Sequence, residues 1–212
     1  MLQSRYPATY LQPASARAGF TLVELLIAMV MVSVMLALAA PTFENTLRSN
    51  RQSTSLNNVV GMLALARGEA VTRTVPVSAC STADPYAAGG PTCRGTNVWD
   101  DGWLIFADDG AGAGGVARNG QIEGSEVLIR LGDGASTGVS IRSFNFPRVS
   151  AVTFEATGLS TGRGTMVICD QRGASGASAI VVNLSGQARL SRDNLAGDGI
   201  VEDDANNAVG CP

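Results

Sequence analysis

The apolar run from Phe20 to Phe43 constrains this chain more than any other stretch. As a helix it would extend roughly 36 Å at about 1.5 Å per residue, enough to cross the hydrocarbon core of a bilayer. A segment apolar on every side has no face to offer water, so it reads as a membrane anchor. One residue breaks the pattern. Glu24 is an acid placed inside the run, where a charge costs on the order of 2.5 to 3.5 kcal/mol. In the first turn it meets the positive end of the helix dipole, and the terminal ammonium of a neighbouring chain would be a fitting counter-charge if cleavage after Gly19 exposed Phe20.

The residues before the run sharpen this reading. From Met1 to Gly19 the chain carries Arg5 and Arg17, Pro7 and Pro13, no Asp or Glu, and no apolar core. A secretory signal peptide places its apolar stretch before the cleavage site and loses it. Here Gly19 precedes the stretch, so a cut after it keeps the anchor. The sequence Gly19-Phe20-Thr21-Leu22-Val23-Glu24-Leu25-Leu26 resembles the class III signal of type IV pilins and type II secretion pseudopilins. In that family a prepilin peptidase cuts after Gly and methylates the new N-terminal Phe. The resemblance thus implies cleavage between Gly19 and Phe20, N-methylation of Phe20, and a subunit-assembly role for Glu24 through the neighbour's N-terminus. Pro41 falls where pilins commonly carry a helix-loosening proline.

Charge and composition narrow the classes of function. The chain has no His and no Lys. Without His there is no Ser-His-Asp triad or Cys-His dyad, and the commonest zinc ligand and the usual near-neutral proton carrier are missing. No phosphate-binding glycine signature stands in the strand-turn-helix setting it requires. The expectation is a non-enzymatic protein with no catalytic residues, no cofactor and no metal. From Glu44 to Arg73 four Arg outnumber two Glu, giving plus 2; from Thr74 onward nine Arg face fifteen acids, giving minus 6. An acidic head disfavours non-specific attraction to polyanions.

Periodicity divides the rest of the chain. Leu56, Val59, Val60, Leu63, Ala66 and Ala70 follow the three-and-four spacing of an amphipathic helix. Beyond Arg73 the pattern becomes short and alternating, with strands expected at 75–80, 103–107, 126–131, 138–142, 149–155, 164–170, 178–184 and 187–190, separated by Gly-rich turns. The expected fold is α+β: a long N-terminal helix packed on a mostly antiparallel β head. Its segments are a cleaved leader at 1–19, a membrane or filament-core helix at 20–43, an amphipathic stem at 44–73 and a head at 74–212.

Several head stretches resemble the GspH/FimT-type minor pilins and pseudopilins. They are Ala64-Leu65-Ala66-Arg67-Gly68-Glu69-Ala70, Val75-Pro76-Val77, Asp101-Gly102-Trp103-Leu104-Ile105-Phe106, and Ile180-Val181-Val182-Asn183-Leu184-Ser185-Gly186-Gln187-Ala188-Arg189. The resemblance implies a minor subunit that helps to prime assembly of a type IV pilus, in the filament or at its tip. A type II secretion pseudopilin is the alternative. Implied partners are other minor and major pilins, the prepilin peptidase and the inner-membrane assembly platform. The implied location is a single pass through the bacterial inner membrane, leader cytoplasmic and head periplasmic, followed by the filament.

Four Cys lie in a domain that the signal makes exported, so they are expected to pair. Three pairings are possible. Cys80 with Cys93, around a Pro/Gly-rich loop, and Cys169 with Cys211, tying a polar tail to a strand, are preferred. A calcium loop over 115–126 is degenerate, because Gly115 and Ala117 occupy its leading ligand positions, with only Asp108 and Asp109 nearby to compensate. Some FimT-like pilins bind DNA through a Gly-Arg-x-Arg turn. Here Gln187 replaces the first Arg of that motif, leaving Arg189 and Arg192 as the possible DNA contacts before an acidic tail. Two local cations neutralise few phosphates, and an edge-strand charge that discourages unwanted sheet pairing is the simpler reading of both.

Overall fold

The structure, a computed structural model, describes residues 19–193 and 197–212. The expected leader, apart from Gly19, lies outside these residues. The chain divides into two compact units, Met1–Glu44 and Asn45–Pro212. One helix, α1, runs over Leu22–Arg73. Pro41 falls within it, and its side chain lies outside those described.

In the first unit the described apolar side chains of α1 are all exposed, from Leu22 through Leu38 to Phe43. Helix side chains apolar on all sides require lipid or other helices around them. The Ser33 hydroxyl donates to Val30 O at 2.7 Å, so this polar group is satisfied within its own helix.

In the second unit the upper part of α1 buries one stripe. Val59, Met62, Leu63, Ala66 and Ala70 form a core with Val77, Ala79 and Ile105 from one sheet and Ile141, Met166, Ile168, Ile180 and Val182 from the other. Val60, expected on the same stripe, is 37% exposed instead. At about 100° per residue it sits a quarter-turn from Val59, and Met62 takes its place between Val59 and Ala66. The helix ends at Arg73, held to Glu69 at 2.6 Å. Thr74 then adopts a left-handed φ of 56° and Pro76 prevents continuation.

Eight strands follow: β1 Val77–Ser81, β2 Gly102–Ala107, β3 Leu128–Asp133, β4 Val139–Phe144, β5 Ala151–Phe154, β6 Gly164–Asp170, β7 Ser178–Val182 and β8 Ala188–Leu190. They form two antiparallel four-stranded sheets, ordered β3-β2-β1-β5 and β4-β6-β7-β8. Apart from half-buried Trp103, the apolar residues of β1, β2, β5 and β6 are buried on both faces, which explains their near-continuous hydrophobicity. Trp99 is buried and donates from Nε1 to Ser143 Oγ at 2.8 Å, so its polar edge is satisfied inside the core. The eight expected strands are all present, and their ends shift where side chains take over the backbone. β7 stops at Val182 because Asn183 closes a turn, its Oδ1 accepting from Gln187 N–H at 2.9 Å.

Candidate functional site

The N-terminal turn is built by Thr21. Its Oγ1 accepts the Glu24 N–H at 3.2 Å, and its carbonyl accepts the Leu25 N–H at 3.2 Å. Thr21 is therefore the N-cap and Glu24 the third helical residue, the spacing of a capping box. Two effects follow. An amide that would otherwise be orphaned at the end of an apolar helix is satisfied, which matters where water is scarce. Glu24 is held in the first turn, beside the partial positive charge of the helix start. Gly19 and Phe20 precede the helix outside regular structure, both exposed, Phe20 to 84%. Thr21-x-x-Glu24 is the sequence signature of this cap.

At the opposite end of the described stem, Arg67 joins the helix to two loops. Its Nε donates to Gly158 O at 2.9 Å and its Nη2 to Ser185 O at 3.2 Å. Gly186, with φ of 73°, sits so close to Gly158 O that no side chain fits there. The stretches around Arg67 and Gly186, far apart in sequence, thus meet in one fastening. Nothing in their separate spacing revealed it.

A second fastening lies lower on the stem. Buried Gln52 donates from Nε2 to Gly176 O at 2.6 Å and Ile168 O at 3.2 Å, and accepts from Arg172 Nη2 at 2.7 Å. Arg172 in turn pairs with Asp170 at 2.6 Å, and these hydrogen bonds hold the Asp170 carboxyl below its ordinary range despite partial burial.

Arg189 lies on β8, the edge strand of its sheet, and both Arg189 and Arg192 are exposed. They share a groove of about 590 Å³ with Glu202, Asp203 and Asp204. Asp203 and Asp204 are drawn inward: Asp203 accepts the Ala205 and Asn207 N–H groups at 2.8 Å each, and Asp204 accepts from Thr165 Oγ1 at 3.0 Å and Asn145 Nδ2 at 2.8 Å.

The loop from Asp108 to Glu126 is closed by its own carboxylates. Fully buried Asp108 accepts from Ser78 Oγ at 2.6 Å, Asn119 N–H at 3.0 Å and Gly120 N–H at 2.8 Å. Glu126 accepts the Gly110 and Glu123 N–H groups at 3.0 Å each, and Glu123 accepts the Val116 N–H at 3.1 Å. Burial pushes the Glu126 carboxyl above its ordinary value, against the pull of its two backbone bonds. These oxygens serve the loop's amides, and among the described residues no group of His, Cys, Asp or Glu is arranged to hold a metal ion. Two disulfides, Cys80–Cys93 and Cys169–Cys211, tie the long loop after β1 and the C-terminal tail to their strands.

Comparison with known proteins adds two family matches. A family model described as type II transport protein GspH matches residues 55–186, and a model of the prokaryotic N-terminal methylation motif matches residues 14–40. No curated protein matches the chain. Two crystal structures of the Pseudomonas aeruginosa (strain PAO1) type IV minor pilin FimU are similar to it. One is 20% identical, covering 66% of this chain and 92% of that chain with a TM-score of 0.47; the other is 21% identical, covering 68% and 90% with a TM-score of 0.49.

Proposed function

Since the chain belongs to the type II transport protein GspH family and carries the prokaryotic N-terminal methylation motif, we propose that it works as a minor pilin of a type IV pilus. Family membership makes it a pilin-like filament subunit, and the motif with the apolar helix makes it membrane-anchored. In the proposed life cycle the precursor spans the inner membrane once, with its leader cytoplasmic and its head periplasmic. The peptidase cuts between Gly19 and Phe20 and methylates Phe20. The mature chain then moves from the assembly platform into the filament or its tip, among other minor and major pilins, and helps to prime assembly.

The observation that carries this reading is the N-terminal turn. A helix with exposed apolar side chains on all sides leaves lipid only if other such helices replace it. Each incoming helix then brings Glu24 into a bundle where a charge without a partner is costly. A free terminal amine on a neighbour's Phe20, close to Glu24 of the entering subunit, supplies that partner and thereby sets axial register. Pro41, lacking an N–H, is placed to loosen α1 as the apolar part is repacked. The Gly-rich head tied by two disulfides favours the pilus over the secretion pseudopilus as the destination.

The experiment is Glu24→Ala in cells that assemble the filament. Processing is expected to continue while incorporation falls below detection in sheared pili; normal incorporation would defeat the role given to the acid. Nucleic-acid binding at Arg189 and Arg192 is the weaker reading, because their groove is also lined by Glu202, Asp203 and Asp204 and holds few cations.

A further inference from the structure

A second groove, of about 310 Å³, runs along the upper stem between α1 and β8. Val60, Leu63 and Ala64 line it from the helix and Ala188 from the strand, with Arg67 and Arg189 at its rims. Leu184 and Leu190, 60% and 57% exposed, lie just before and at the end of the strand. Among the described residues neither rim charge is held in an ion pair, and the lining of this groove contains no acid, although Arg189 also borders the neighbouring groove of Glu202, Asp203 and Asp204. Arg67 spends its hydrogen bonds on two backbone carbonyls. A head carrying fifteen acids and nine Arg from Thr74 onward therefore has a net-positive, apolar-floored cleft at this place.

We propose that this groove is a docking site for an acidic amphipathic segment of a neighbouring filament subunit, one that seats an apolar side chain on Val60, Ala64 and Ala188 and sets acidic side chains against Arg67 and Arg189. The argument is charge complementarity. The apolar floor rewards a buried side chain, and the two rims select its flanking charges and reject basic or neutral competitors. A nucleic-acid strand fits the same groove poorly: two cations neutralise few phosphates, and no aromatic side chain lines it for bases to stack upon. Arg67 is already fixed in place by Gly158 and Ser185, so little side-chain entropy is lost when a carboxylate arrives. The inference rests on the filament reading above.

The test is a photoreactive phenylalanine in place of Val60 in the full chain, in cells assembling the filament, followed by identification of the linked peptide. The expected product is one adduct to another filament subunit, with Asp or Glu flanking the attached residue. Arg189→Glu, which leaves the Arg67 fastening intact, should cut its yield roughly fivefold, the scale of one exposed charge pair. Arg130→Glu on the exposed part of β3 should leave it unchanged. An adduct to nucleic acid, an adduct whose linked peptide has no acid, a yield indifferent to Arg189→Glu, or no adduct while the chain still enters filaments would each overturn the groove. A chain absent from filaments that still forms the acid-flanked adduct would overturn the filament reading and leave the groove standing.

Discussion

Gly186→Ala is the sharpest probe of how the head is fastened to the stem. Gly186 holds φ at 73°, a region where a side chain costs about 1 to 2 kcal/mol. Any Cβ there would also run into the carbonyl oxygen of Gly158, the acceptor of the Arg67 bond. Relieving the clash moves backbone on both sides, and loosening the two Arg67 bonds forfeits roughly 1 kcal/mol or more. The total is about 3 kcal/mol, which for a unit of this size lowers Tm by roughly 6 to 12 °C. Gly138→Ala is the internal control: its φ is 80° but nothing lies within 4 Å of a Cβ, so only the backbone cost of about 1 to 2 kcal/mol applies. The assay is thermal and urea unfolding of residues 45–212, followed through the fluorescence of buried Trp99. If Gly186→Ala costs no more than Gly138→Ala, the close approach of the two loops is wrong, and with it the fastening.

Three further expectations concern other parts of the second unit. Gly61→Ala and Gly68→Ala place methyl groups where nothing lies within 4 Å and remove two helix-interior glycines, so each should stabilise residues 45–212 by about 0.5 to 1 kcal/mol in urea titrations; destabilisation would show that this helix face is packed. Asp170 is lowered in the folded state, so its contribution is complete above the unfolded carboxylate range and is lost as pH falls through the lower folded value. Arg172→Met should therefore shrink the acid loss of stability below about pH 4, the ordinary aspartate range, and an unchanged acid limb would refute the pairing. Replacing Cys169 and Cys211 together by Ser opens a loop with a sequence separation of 42 residues and should cost about 4 kcal/mol on the chain-entropy model, against about 3 for Cys80 and Cys93 with a separation of 13. Equal losses in guanidinium titrations would count against that loop-length account.

What the sequence made legible was whatever repeats locally. The stem stripe and the eight strands follow from three-four spacing and from alternation between glycine-rich turns, because each element signals its own burial. The order Gly19, Phe20, apolar run, Glu24 was legible because it violates membrane cost on one residue only. Strand ends were less so: Asn183 and Glu126 redirect the backbone with side-chain bonds that periodicity does not register. Val60 shows a related limit, since a valine at helical spacing can face a groove as readily as the core. The Arg67 fastening and the Gln52–Arg172–Asp170 network were hidden altogether. They join residues more than ninety positions apart, Arg67 to Gly158 and Gln52 to Ile168 among them, and only the packing of α1 across both sheets brings them together.

The most direct test of the account is the identity of the mature N-terminus and the place where it is found. Sheared pili and the secretion pseudopili of the same cells would be purified separately, and the N-terminal peptide of this chain read by mass spectrometry. The account predicts a peptide beginning at N-methylated Phe20, recovered with the pili. A chain that keeps Met1, begins elsewhere, or is recovered only with the pseudopili would contradict it.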